Sequence, residues 1–228
     1  MSTGRKKIVC VGAHPDDVDF GAGGTCLMLC GDYDIHYVIL TSGQAGIKGK
    51  APEEAAAVRE AEQRRACEMI GAELTLMRQM DGDLYADRDL CGKVGELLKK
   101  LDPTAVFTMW PIDVRDHSAA YEVTQKALHH AGLYYTVELY MYETSLGGQT
   151  NRFVPDIYVN ISDVMDRKMA LLKCHASQTG VAEGSSARQQ NRFHGMEARV
   201  EYAEVFKTPH ALIGTRWERR SRYLLLDL

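Results

Sequence analysis

No apolar run in this chain approaches the roughly 20 residues that a membrane-spanning helix requires. The segment from Met1 to Lys7 is polar and leads straight into a strand-like run. It lacks the apolar stretch of roughly 7–15 residues that marks a signal peptide. Both absences point to the cytoplasm. There is no CxxC pair either. The six cysteines (Cys10, Cys26, Cys30, Cys67, Cys91 and Cys174) are scattered, mostly in apolar surroundings. They read as free thiols of a reducing compartment. Positive charge is not in excess: 27 Lys and Arg against 31 Asp and Glu leave a formal charge of −4. Nucleic acid held mainly by its phosphates is therefore excluded as a partner class. No Pro/Gly/Ser-rich linker, internal repeat or low-complexity stretch divides the 228 residues, so residues 1–228 are read as one domain.

What is present is the mix of a folded protein. Apolar residues make up 45% and charged residues 25%, which excludes a disordered or collagen-like chain. The length is enough to bury a sizeable core.

Strand and helix signals alternate. Ile8-Val9-Cys10-Val11 is a short β-rich run ending at Gly12. Residues 21–31 read as a buried helix and 37–40 as a second strand. A loop over 42–50 is punctuated by Gly43, Gly46 and Gly49. Pro52, Glu53 and Glu54 open a helix that stops at Gly71. Further strands are expected at 74–77, 105–109, 137–142 and 157–159. Further helices are expected at 87–101, 118–131 and 162–175, the last with Ser162 as its N-cap. This order predicts an α/β fold with a mainly parallel, Rossmann-like sheet and helices on both faces. Such sheets bind ligands beyond the carboxyl ends of their strands. Two segments lie at such ends.

The first reads Ala13-His14-Pro15-Asp16-Asp17-Val18-Asp19 and sets one imidazole among three carboxylates. Burying these carboxylates as unpaired anions is costly, and a divalent cation relieves the repulsion. One His and one Asp supply two ligands of types suited to zinc, and a catalytic zinc takes three protein ligands plus an open position. The second segment, Trp110 to His117, offers His117 as the third ligand, with Asp116 placed to orient an imidazole. Two other readings stay open from the residues alone: helix caps, or a magnesium site for phosphoryl transfer.

The run Val9 to Thr25, with Ala-His-Pro-Asp-Asp at its centre, resembles the signature of the LmbE/PIG-L family of zinc-dependent N-deacetylases. Matching stretches span the chain: Thr41 to Gly46, Arg59 to Glu62 with Ile70-Gly71, Asp81-Gly82, Lys173 to Gln178, and Tyr202 to Phe206. The resemblance implies hydrolysis of an acetamide on an N-acetylglucosamine-type sugar or glycoside, with zinc-bound water as the nucleophile. It implies His14, Asp17 and His117 as zinc ligands and Asp16 as general base. Arg59, Asp19, Asp113 and Asp116 are the expected supporting or substrate-facing residues, and a homo-oligomer is the expected assembly. Arg59 has a plainer alternative as a solvent-facing helix arginine. His175 is expected to be structural.

One departure stands out. Where the family usually carries His-Pro-Asp-His, this chain reads Val114-Arg115-Asp116-His117. Arginine stabilises an oxyanion but does not donate a proton at ordinary pH. Three replacements for the absent histidine follow: Arg115 on the oxyanion, His194 reaching in from the C-terminal part, or Asp16 returning the proton itself. The competing functions are a magnesium-dependent phosphoryl hydrolase and a zinc-binding family member with weakened catalysis. The loops at 44–51, 144–155 and 178–194 are expected to shape the substrate pocket.

Overall fold

The computed structural model describes residues 5–145, 148–209, 224–226 and 228. Its strands are β1 (Lys7–Gly12), β2 (Asp34–Thr41), β3 (Glu73–Gln79), β4 (Ala105–Met109), β5 (Glu138–Tyr142), β6 (Ile157–Asn160) and β7 (Ala203–Lys207). They form one sheet in the order β3-β2-β1-β4-β5-β7-β6. The first five are parallel; β7 runs antiparallel to both β5 and β6. The helices are α1 (Asp17–Leu29), α2 (Pro52–Ile70), α3 (Arg88–Leu101), α4 (Arg115–His130), α5 (Met165–Leu172), α6 (Thr179–Ala182) and α7 (Ser185–Ala198). No described helix is long and apolar enough to cross a membrane.

The central strands are apolar runs buried on both faces, as a covered parallel sheet demands. β1 sits between β2 and β4, so the chain leaves it toward one side first and later returns to the other. The crevice at such a reversal lies beyond the carboxyl ends of β1 and β4. The two polar segments noted above occupy those ends.

Besides strand ends that extend β2 and β3, and β7, which the sequence reading did not assign as a strand, four boundaries differ. α1 begins at Asp17 rather than residue 21, because the Asp16 carbonyl already accepts from the Phe20 amide at 2.9 Å. The Gly-Ala-Gly-Gly run hides that start, being poor helix-forming sequence. It is tolerated because close packing needs it: a Cβ at Gly21 would collide with the Tyr142 ring. α4 begins at Arg115 rather than Ser118, with the Ser118 amide bonded to Val114 O at 3.0 Å. His117 therefore stands within the first helical turn. The expected helix 162–175 is a 3₁₀ turn (Ser162–Val164) followed by α5, and Ser162 is no N-cap. Its hydroxyl instead donates to Asn160 Oδ1 at 2.6 Å. The expected loop 178–194 is mostly helix, α6 and α7. Leu146 and Gly147 of the expected loop 144–155 lie outside the described residues.

A fully buried ion pair ties these layers together. Lys168 on α5 donates to Glu204 on β7 at 2.6 Å and to Asn191 on α7 at 2.8 Å. Glu204 also accepts from the Gly24 and Thr25 amides of α1, each at 2.7 Å. Removing one partner of a buried pair leaves the other charge uncompensated, which costs about 3–5 kcal/mol. Lys168→Met is expected to lower the melting temperature by about 10 °C at the usual conversion for a chain of this length. Adding Glu204→Gln should recover part of that loss. A Lys168→Met protein that melts with the parent would remove this account.

Candidate active site

A cavity of about 760 Å³ opens at the carboxyl ends of β1 and β4. Its walls include His14, Asp16, Asp17, Arg59, Asp81 and His117. His14 and Asp16 come from the β1–α1 turn, Asp17 from the start of α1, His117 from the first turn of α4, and Arg59 from the middle of α2.

Three groups converge. His14 Nδ1 lies 3.3 Å from His117 Nε2 and 3.4 Å from Asp17 Oδ2, and His117 Nε2 lies 3.4 Å from Asp17 Oδ1. The three ligand atoms fall within 4.8 Å of one another. The opposite ring nitrogens are held by carboxylates. His117 Nδ1 donates to Asp113 Oδ1 at 2.8 Å, and Asp113 Oδ2 accepts the Thr150 hydroxyl. His14 Nε2 lies 3.1 Å from Asp81 and 3.3 Å from Asp116. Carboxylates on the outer nitrogens fix both tautomers and turn lone pairs toward Asp17, the arrangement of metal-binding imidazoles. Two histidines and one carboxylate also match the donor chemistry of a catalytic zinc or a similar divalent ion. Asp81, Asp116 and His14 form a second convergent set. Asp116 there already accepts from the Gly82 and Leu84 amides, and Asp81 from the Ala45 amide, so these carboxylates serve as braces for His14.

Electrostatics agree with a site built for a cation. Burial opposes a charge on His14, but hydrogen bonds to Asp116, Asp17 and Asp81 outweigh it and hold its pKa well above 6.5. For Asp17, burial is outweighed by His117 and His14, which hold it well below the ordinary carboxylate range. Without a metal, protons on the imidazoles compensate the carboxylates; metal binding must displace them.

Asp16 differs from its neighbour. Burial pushes its pKa up to about 6, opposed by Arg59 and reinforced by Asp17. Its backbone is strained, with φ 123° and ψ −27°. Such conformations cost about 1–3 kcal/mol and persist only where the surroundings hold them. α2 supplies that hold. Arg59 donates to Asp16 Oδ2 at 2.9 Å and to the carbonyl of Pro15 at 2.5 Å. Arg59 is buried, so the solvent-facing alternative for it is set aside. Gln63, one turn on, accepts from the Asp16 amide at 2.9 Å. Glu62 accepts from the amide and hydroxyl of Ser177, fixing the opposite wall of the cavity. Asp19 does not line the cavity; it pairs with His175 at 2.7 Å in full burial.

Neither Arg115 nor His194 is brought to the cavity. The Arg115 guanidinium turns outward to Asp83 at 3.2 Å and stacks over Tyr85. The helix that starts at Arg115 directs successive side chains around its axis, so the turn that sends His117 inward sends Arg115 out. His194, on α7, has both ring nitrogens engaged, Nε2 with Glu143 at 2.5 Å and Nδ1 with Glu197 at 2.7 Å. Burial opposes its charge, but Glu143 and Glu197 outweigh it and raise its pKa above 6.5. A raised folded-state pKa stabilises below the unfolded value, and the contribution is lost as pH rises through the folded value. His194→Gln should therefore lower the melting temperature by a few degrees below the ordinary histidine pKa, with the gap closing as the pH rises through the raised folded-state value. A gap that widened with pH would contradict this assignment.

Sequence reasoning missed Asp81, Gln63, Glu62 and Thr150 as parts of the site. Asp81 had a signal, standing in the Asp-Gly pair quoted above. Glu62 had one too, closing the Arg59 to Glu62 stretch, and Thr150 stood in the loop 144–155 expected to shape the pocket; Gln63 had none, since it is tied to the site only by contacts across the fold.

The chain has relatives among known proteins. Residues 9–128, just over half of the chain, match the family described as PIG-L, GlcNAc-PI de-N-acetylase. A Bacillus cereus protein named "Probable N-acetyl-alpha-D-glucosaminyl L-malate deacetylase 2" is 27% identical over 200 residues, covering 82% of this chain and 91% of the relative. A 4-oxalmesaconate hydratase of Pseudomonas putida is 27% identical over 197 residues, covering 78% and 76%. Among solved structures, N,N'-diacetylchitobiose deacetylase from Pyrococcus horikoshii superposes with a TM-score of 0.79 at 22% identity, over 92% of this chain and 86% of the other. That likeness carries the fold.

Proposed function

From the premise that this chain belongs to the PIG-L (LmbE) family of deacetylases, we propose that it is a zinc-dependent hydrolase that removes acetyl from an N-acetylglucosamine-type sugar or glycoside. The observation that carries the reading is the convergence of His14 Nδ1, His117 Nε2 and the Asp17 carboxylate on one point of the cavity, with Asp16 beside them on its wall.

His14, Asp17 and His117 would hold the ion. Zinc at that position supplies Lewis acidity, which polarises an acetyl carbonyl and lowers the pKa of water to about 7. Asp113 orients His117 and Asp116 orients His14 through the outer ring nitrogens. Asp16 takes a proton from the attacking water at its carboxylate. The same carboxylate returns it to the departing nitrogen as the carbon–nitrogen bond breaks, leaving acetate and a free amine. Asp16 carries both transfers because Arg115 and His194 point elsewhere. Arg59 keeps the Asp16 carboxylate turned to the cavity.

The test is metal content and acetate release measured together, on protein purified without chelator, with N-acetylglucosamine and its simple glycosides. About one zinc per chain with acetate release supports the reading. Phosphate release with magnesium and no bound zinc would replace it with a phosphoryl hydrolase. The hydratase relative favours one second reading, in which the same cavity residues would activate water for addition to a carbon–carbon double bond. Water addition to an unsaturated tricarboxylate such as 4-oxalmesaconate, without acetate release from any acetamide, would select it.

A further inference from the structure

Asp16 stands in a positive-φ conformation, and its amide donates to Gln63 Oε1 at 2.9 Å. Gln63 Nε2 donates in turn to Asp19 Oδ2 at 2.9 Å, and that oxygen also accepts from His175 Nε2 at 2.7 Å. Gln63, Asp19 and His175 are each 0% exposed. The amide has only one workable sense here. Its nitrogen must meet the Asp19 carboxylate, so its oxygen must meet the Asp16 N–H. Arg59 grips the Asp16 carboxylate and the Pro15 carbonyl, but nothing it touches fixes the Asp16 amide. Gln63 alone among the described side chains does that. It does not line the cavity, so its influence on chemistry runs through Asp16.

Resting on the deacetylase reading of Asp16, we infer that Gln63 is a positioning residue for the reaction. Its carbonyl holds the Asp16 backbone in the positive-φ conformation, so that the carboxylate faces the cavity lined by His14, Asp17 and His117. The buried Asp19–His175 pair holds Gln63 in turn. This assigns a use to an ion pair that touches neither cavity nor solvent.

Gln63→Met removes both hydrogen bonds at nearly constant volume. In deacetylation of N-acetylglucosamine, kcat per bound metal should fall about 10–100-fold, the usual penalty for a base misplaced by about an ångström. KM should stay within about threefold, and metal content near one per chain. In an Asp16→Asn background the same substitution should lower kcat by less than about threefold, because its target is already gone. A purely structural role predicts the same fold loss in both backgrounds. That outcome, or a loss carried wholly by KM, overturns the inference.

Should Gln63→Met fail to fold, the pair Gln63→Glu with Asp19→Asn is the second arm. It exchanges donor and acceptor between the two side chains and restores both contacts, the new amide nitrogen at position 19 donating one hydrogen to the carboxylate at position 63 and the other to Nε2 of a neutral His175. Gln63→Glu alone should be impaired, and the pair should recover kcat to within about tenfold of the parent. No recovery over Gln63→Glu overturns the inference. If the parent enzyme releases no acetate from any acetamide, the deacetylase reading fails by itself. The positioning claim is then decided by the crystal structure of Gln63→Met. Asp16 should leave positive φ while His14, Asp17 and His117 stay in place; φ kept near 123° overturns it.

Discussion

Replacing His117 with Ala, or Asp17 with Asn, is expected to abolish acetate release and strip the protein of its metal. Each removes one of the three atoms that converge within 4.8 Å, and a site left with two protein ligands has lost the set that a catalytic zinc requires. Metal polarisation of the carbonyl is worth several kcal/mol, so the fall in kcat/KM should be about 1,000-fold or more. A chelator should produce the same loss in the parent protein, and added zinc should reverse it. Asp113→Ala provides the graded comparison. It leaves the three ligand side chains but takes the carboxylate from His117 Nδ1, leaving it the Thr144 hydroxyl at 3.4 Å, and outer carboxylates of this kind are worth about 10–100-fold in metal affinity or activity. Both ligand variants turning over at the parental rate would mean that the chemistry lies elsewhere.

Asp16→Asn is expected to lower kcat about 100- to 10,000-fold with the metal retained. Asn keeps the shape and can still meet the Arg59 guanidinium, but it cannot take the proton from water. The loss should sit at the upper end of that range if Asp16 serves as base and then as acid, since beyond Asp17, His14 and His117 the other carboxylate among the described lining residues is Asp81, which is engaged with His14 at 3.1 Å and with the Ala45 amide. Arg115→Ala and His194→Gln form the matching pair of controls. One side chain points to Asp83 and Tyr85, the other is enclosed by Glu143 and Glu197. Neither should change kcat by more than about threefold. An Asp16→Asn enzyme near parental rate, or an Arg115→Ala enzyme as crippled as Asp16→Asn, would reassign the proton transfers.

These expectations bear on the altered second loop. Val114 and Arg115 stand where the resembled motif has His-Pro, and the charge of Arg115 invites an oxyanion role. Because α4 begins at that residue, the helical turn that delivers His117 to the cavity delivers Arg115 to the surface. The chain therefore works, on this account, with one fewer histidine than its family and with more resting on Asp16. That is why the residues holding Asp16 matter. Arg59 secures its carboxylate, and Gln63 its amide.

What the sequence determined by itself was local. Alternating strand and helix signals set the layered sheet, because apolar runs of strand length can only be buried between helices. His14, Asp16 and Asp17 were legible because they are adjacent in the chain at a strand end, and His117 because it closes a second such end. Burying so many carboxylates together calls for a cation whatever the fold around them. Tertiary structure alone decided the rest. Gln63 is 47 residues from Asp16, His175 is 156 from Asp19, and Asp81 is brought to His14 from another loop. None of these contacts has a local spacing to announce it. They arise where separate elements pack, and there the direction of each side chain is set by the first residue of its helix. A start at Arg115 instead of Ser118 leaves His117 facing the cavity and takes Arg115 out of it.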